Sequence, residues 1–236
     1  MKLALLERLL AVGRTSSGAA LVTNLATGEQ ALVTGTGSEG DLRLGSDELA
    51  RVLQVLNDDQ SGMIETAAGP AFVEVWNPRP RLLVVGAVHA AQALVPLAHL
   101  AGYEVTVIDP RTAFGTPERF PDVTLLNDWP NEALPALAPD RRTAILTLTH
   151  DPKIDDPALA AALRSEAFYI GALGSRRTHA RRVERLREAG FDDAAIGRIR
   201  GPVGLAIGAR TPAEIAISIM AEVTAVLRRA PLAQRA

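Results

Sequence analysis

The 236-residue chain contains no cysteine, which excludes disulfides, thiolate metal sites and a cysteine nucleophile. It also lacks a dominant charge. Its 27 acidic and 25 basic residues leave a net charge of −2, so no global field favours nucleic acid or an anionic membrane. No apolar run approaches the length of a transmembrane helix. The N-terminal MKLALLERLLAVG has no signal-peptide layout, because Glu7 and Arg8 interrupt its apolar stretch and leave an ordinary amphipathic helix. These absences point to the cytoplasm. Histidine is scarce too: the four, at 89, 99, 150 and 179, show no metal-ligand spacing. What the chain does have is apolar content, 47%, enough for a globular core in one or two domains.

Two parts are expected. Residues 1–77 read as a small α+β domain: a helix (2–12), two strands (18–25 and 29–34) turning at Thr27-Gly28, a helix (47–56) and two strands (62–66 and 70–76). The run Gly35 to Gly40 is either a ligand-cradling loop or a flexible connection. Asn77-Pro78-Arg79-Pro80 is a stiff linker, since each proline forces the preceding residue to be extended. Residues 81–230 alternate strand and helix, which predicts an α/β, Rossmann-like, mainly parallel sheet with helices on both faces. Strands are expected at 82–86, 104–109, 143–149 and 167–171, with a weaker one near 122–126. Asp156-Pro157 offers an N-cap and first-turn proline, Thr211-Pro212-Ala213-Glu214 opens a long helix to about Arg228, and the tail PLAQRA is expected to fray.

The stretch RLLVVGAVHAAQALVPLAHLAGYEVTVIDPR, Arg81 to Arg111, has the order of a dinucleotide-binding βαβ unit. Asp109 lies about 23 residues after Gly86, near the spacing of a carboxylate that grips a ribose hydroxyl. The glycine pattern is broken, however: Val88 stands where a glycine lets the backbone approach a pyrophosphate. The architecture is better supported than NAD binding, and NAD(P) is not expected as the ligand.

In an open parallel sheet, ligands bind beyond the carboxyl ends of the strands. Candidate ligand-contacting residues therefore follow each strand: Gly86 and His89; Asp109 and Arg111; Thr149, His150 and Asp151; Gly171, Gly174, Ser175, Arg176 and Arg177. Gly171 to Thr178 is the most phosphate-like segment, with glycines, a helix start and two arginines whose first-turn position opposes the helix dipole unless an anion offsets them. His89, at a helix start, either hydrogen-bonds a ligand or caps the turn. His150-Asp151 could be an acid–base pair, although neighbours on an extended segment point apart. Asp151, Asp155 and Asp156 could hold a cation, with turn and cap chemistry the plainer reading. His99 reads as structural and His179 as solvated. Gly201 to Arg210 reads as an ordered loop packed close to another backbone. Nothing forms an evident catalytic triad.

LTHDPKIDDPAL (148–159), YIGALGSRRTHARRVERLREAGF (169–191) and GPVGLAIGARTPAEIAISIMAEV (201–223) resemble the XdhC/CoxI accessory family, and VVGAVHAAQALVPLA and VIDPR fit its Rossmann start. The resemblance implies an N-terminal XdhC/CoxI domain, here shortened and without its cysteine near Gly35 to Gly45, and a C-terminal Rossmann domain. It implies a cofactor-binding chaperone in place of an enzyme, with molybdenum cofactor (molybdopterin) as cargo. The implied partners are a xanthine dehydrogenase-class molybdenum hydroxylase apoenzyme, a sulfurtransferase and a second copy of the chain. An NAD(P)-dependent oxidoreductase and a ligand-free interaction paralogue are the other readings.

Overall fold

The structure, a computed structural model, describes residues 3–12 and 18–231. Met1 and Lys2 of the expected first helix and the tail from residue 232 lie outside the described residues. The chain divides into two compact units, residues 1–78 and 79–236.

The first unit has a five-stranded antiparallel sheet, order β3-β2-β1-β5-β4, built from β1 (Ala19–Asn24), β2 (Gln30–Thr34), β3 (Gly37–Gly40), β4 (Gly62–Thr66) and β5 (Gly69–Trp76). Helix α2 (Ser46–Asp58) buries Val52 and Leu56 with Val22, Val33 and Val73 on one face, while Leu5 and Leu9 of α1 (Leu3–Val12) join Ala19 and Leu32 in a smaller cluster. The β1–β2 hairpin turns as expected, with the Gly28 N–H donating to the Asn24 carbonyl at 2.9 Å. The glycine run is neither cradle nor free connection: Gly37–Gly40 is an edge strand paired to β2. Its glycines hid a strand held by backbone pairing to β2 and by an exposed ion pair between Glu39 and Arg8.

The second unit is a six-stranded parallel sheet with order β11-β10-β9-β6-β7-β8. The strands are β6 (Arg81–Val85), β7 (Glu104–Ile108), β8 (Thr124–Leu126), β9 (Thr143–Thr147), β10 (Tyr169–Ala172) and β11 (Ile199–Arg200). The central ones are apolar along their length because helices cover both faces. On one face α3 (His89–Leu100) and α8 (Pro212–Leu227) meet over Leu82, Val84, Leu146 and Tyr169. On the other, α4 (Pro130–Leu137), α5 (Pro152–Leu163), α6 (Arg176–Glu188) and α7 (Asp193–Ile196) cover Leu83, Val85, Ile145 and Ile170. Helix α4 and strand β11 escaped the sequence reading, the first because it is short and proline-bearing, the second because it has two residues.

Helix α5 begins one turn earlier than expected. Asp151 is its N-cap, accepting from the Lys153 N–H at 3.0 Å, and Pro152 takes the first position. Asp151-Pro152 and Asp156-Pro157 carry the same start signal. Burial of Ile154, Asp155, Ala158 and Leu159 selects the earlier one. Helix α8 opens on the expected capping box, Thr211 accepting from the Glu214 N–H and the Glu214 carboxylate from the Thr211 N–H.

Candidate functional site

The chain leaves β6 toward β7 and β8, then returns to β9 on the other side of β6. The loops after β6 and β9 therefore diverge, which is where a parallel sheet opens a crevice. Gly86 shapes it. Its φ of +112° is open to glycine, and a Cβ there would lie 2.6 Å from Thr149 Cγ2 and 3.1 Å from the Thr149 N. The two loops thus start in contact and spread from there.

Asp109, at the end of β7, does not face a ribose as its spacing implied. It is buried, and both carboxylate oxygens are committed within the protein. Oδ2 accepts from the Ala87 N–H at 2.8 Å and Arg111 Nη2 at 2.8 Å; Oδ1 accepts from the Arg111 N–H at 3.0 Å and Nε at 2.9 Å. Burial pushes this carboxyl up, but the Arg111 and Ala87 hydrogen bonds outweigh it and hold it below the usual carboxylate range. Arg111 is raised in turn, first by those bonds and then by the negative charges of Asp109, Asp151 and Asp155, and its guanidinium stacks 4.3 Å from the Phe114 ring. Asp109 is thus an organiser of the β6 turn. It also occupies one of the backbone N–H groups a pyrophosphate would need. Val88, the N-cap of α3, turns its half-buried side chain toward the core under α3 and α8.

Because Asp109 has a lowered carboxyl, its contribution is complete above the ordinary carboxylate value, near 4, and disappears as pH falls through the folded-state value. Asp109→Asn is therefore expected to be less stable than the parent protein at neutral pH, with the gap closing as pH falls below about 4. Thermal melts from neutral pH to below that value check this; parallel curves would refute it.

The loop after β9 is organised by its own side chains. Thr149 Oγ1 donates to Asp155 Oδ1 at 2.7 Å and accepts from the Asp151 N–H at 3.0 Å. His150, exposed, sits between them at φ +63°, a left-handed conformation that a non-glycine residue seldom adopts. The three aspartates that could have gathered a cation go separate ways: Asp151 caps α5, Asp155 turns inward to Thr149, and Asp156 pairs with Arg185, Oδ1 to Nη2 at 3.0 Å. Among the described residues no group of three or more such side chains could hold a metal ion.

After β10 the expected phosphate loop is shorter than the sequence implied. Gly171 is a buried strand residue: a Cβ there would meet Val203 Cγ2 at 2.6 Å, Tyr169 Cε1 at 2.7 Å and Leu146 Cδ2 at 2.8 Å. Its missing side chain serves packing and offers nothing to a ligand. The loop proper begins at Leu173. Gly174 turns at φ +145° and Ser175 caps α6, accepting from the Thr178 N–H at 3.1 Å. Arg176 and Arg177 follow, exposed, in a first turn that holds no acidic residue.

Of the candidate residues, His89, His150, Arg176 and Arg177 are exposed at the carboxyl edge, and Arg111 is half-exposed among them. Gly86, Thr149, Asp151, Gly174 and Ser175 shape the loops, while Asp109 and Gly171 are interior. His99 is exposed at the end of α3. His179 is half-buried instead of solvated, because its ring lies where a Cβ on Gly201 would stand, with Nδ1 2.2 Å from that position. Hollows lie elsewhere: about 390 Å³ beside β10 and β11, about 360 Å³ at the amino edge beside Tyr103 and Asp122, and about 540 Å³ in the first unit beside Arg43, Glu48 and Arg51. The candidate residues line none of these.

Sequence reading missed Arg182 and Glu222, both buried on helices. A signal was present. Arg182 shares a stripe with Val183 and Leu186, and Glu222 lies beside Ile219 and Val223, so helical spacing places both on apolar faces.

Residues 82–223 match the family described as the XdhC Rossmann domain. The chain is similar to YqeB of Escherichia coli K12, 36% identical over 160 residues that cover 68% of this chain and 30% of that protein. It is also similar to PaoD of the same organism, named a molybdenum cofactor insertion chaperone, 34% identical over 151 residues covering 64% of this chain and 41% of that one. The chain thus spans less than half the length of these curated relatives. Among solved structures, a Bacillus halodurans protein described as a xanthine dehydrogenase superposes with a TM-score of 0.74 at 26% identity, over 96% of this chain and 67% of that one.

Proposed function

This chain belongs to the XdhC family, and from that premise we propose that it is an accessory protein for maturation of a xanthine dehydrogenase-type molybdenum enzyme, with molybdenum cofactor as its cargo. The name of the PaoD relative supports the cargo. What supports the site is that His89, Arg111, His150, Arg176 and Arg177 follow the carboxyl ends of β6, β7, β9 and β10, which all lie at one edge of the parallel sheet, and are exposed or half-exposed there. Molybdopterin presents a phosphate and a polar pterin. A helix start bearing two arginines suits the phosphate, through free N–H groups, the dipole and fork-shaped donors. The histidines and Arg111 suit the pterin. The reading needs no covalent step by the protein: the residues bind and orient. We further propose that residues 1–77 are a shortened XdhC/CoxI-like domain, that the chain acts as a cytoplasmic homodimer, and that an apoenzyme and a sulfurtransferase are its partners.

Against a nicotinamide cofactor stand Val88 at the turn and an Asp109 whose oxygens are both taken. The test is a fluorescence titration of the full chain with molybdopterin and, separately, with NADH. The molybdopterin response is expected to dominate. Arg176→Ala with Arg177→Ala is expected to weaken it by at least one charge-assisted hydrogen bond, about 1.5–3 kcal/mol, roughly 10- to 150-fold. Unchanged affinity in a folded double variant would remove the site, and tighter NADH binding would replace the reading with an oxidoreductase.

A further inference from the structure

Two loops of the candidate site, after β9 and after β10, are tied together from beneath by a charged pair that itself reaches no ligand. Asp155 on α5 and Arg182 on α6 each have side chains only 2% exposed, and Asp155 Oδ2 lies 3.6 Å from Arg182 Nη2. Asp155 Oδ1 accepts from the Thr149 hydroxyl at 2.7 Å and the Thr149 N–H at 3.4 Å, so it grips the loop that carries His150. Arg182 Nη2 donates to the Leu173 carbonyl at 3.1 Å, immediately before Gly174 and the start of α6. Each member holds one loop and the other member.

As a source of stability the pair is poorly made. Asp155 Oδ2 and Arg182 Nε and Nη1 are buried with no hydrogen-bond partner among the described residues. Burial pushes the Asp155 carboxyl up and the Arg182 guanidinium down, the direction that marks charges held away from water. A buried ion pair offsets its desolvation only when its remaining donors and acceptors are satisfied, and apolar replacements of similar volume are often neutral or stabilising. The bonds that are well formed all run to the two site loops.

We infer that Asp155 and Arg182 are positioning residues, a buried clamp that sets the loop of Thr149–Asp151 against the loop of Leu173–Thr178 without a net gain in stability. The consequence for cargo binding rests on the proposed site; the clamping itself does not. The clamp also accounts for a non-glycine residue at φ +63° at position 150, since Thr149 and Asp151 on either side are both held.

The test uses the full chain with Asp155→Leu and Arg182→Met together. The expected melting temperature is within about 4 °C of the parent protein or above it. Amide hydrogen exchange is expected to speed at least about tenfold in residues 149–151 and 173–178, and to stay unchanged along α8. Unchanged exchange in both loops would overturn the inference. So would a melting temperature far below the parent's, or faster exchange spread evenly over the unit, because either assigns the pair to general stability. A molybdopterin titration of the same variant separates the two proposals. A parent chain that fails to bind removes the proposed function and leaves the clamp to be decided by exchange. A parent chain that binds, with a variant that binds equally well, shows loops that need no clamp and overturns it.

Discussion

Arg182→Ala alone is expected to destabilise the folded chain by about 3–5 kcal/mol, the cost of stranding a buried charge. Its partner Asp155 would remain in the interior with only the Thr149 bonds, and the Leu173 carbonyl would lose its donor. Asp155→Ala should behave alike, stranding the guanidinium. A useful control is Arg187→Ala, which removes an exposed pair with Asp193 (side chains 56% and 77% exposed). That change should cost less than about 1 kcal/mol, because water screens the pair and the side chains lose entropy in forming it. Urea denaturation of the three variants checks the contrast. A loss below about 1.5 kcal/mol for Arg182→Ala would show that the pair is more hydrated than its burial implies.

Glu222→Ala is expected to cost about 2–6 kcal/mol, from two buried donors deprived of an acceptor at about 1–3 kcal/mol each. Glu222 is 1% exposed on α8, and its Oε2 accepts from the Tyr169 hydroxyl at 2.6 Å and the Gly204 N–H at 2.8 Å. Arg200 Nη1 lies 3.9 Å from Oε1. The carboxylate therefore joins β10, the loop before α8 and α8 itself. Tyr169→Phe removes one of these bonds together with its donor, so it should cost only about 1 kcal/mol. Glu222→Gln keeps a carbonyl oxygen and should fall between the two. Equal stability of Glu222→Ala and Tyr169→Phe, by the same denaturation measurement, would show that the Gly204 contact contributes nothing.

These two residues also mark where the sequence stopped being legible. Gly201 to Arg210 reads as an ordered loop lying close to another backbone, and it is one. A Cβ on Gly204 would come 3.1 Å from the Ile219 N and 2.4 Å from Ser218 Oγ. The glutamate that pins it is 18 residues further on, and no local pattern announces that contact. Gly171 has the opposite history. Beside Gly174 and two arginines it looks like part of a phosphate loop, yet the side chains of Val203, Tyr169 and Leu146 claim the space of its missing Cβ. Asp109 has the spacing of a ribose ligand, but the neighbouring Arg111 and the returning turn at Ala87 take both oxygens.

The sequence alone determined the alternation of parallel strands and helices, the break at Pro78–Pro80 and the capped start at Thr211. All of these depend on neighbours within a few residues, or on periods of two and 3.6 that any apolar core imposes. Tertiary structure decided which of two Asp-Pro pairs opens α5, which glycine packs and which turns, and which charges face solvent. Asp109 and Asp155 are charged residues that the sequence leaves free to serve a ligand. Folding buries them, and a buried charge must spend its hydrogen bonds on whatever backbone and side chains surround it.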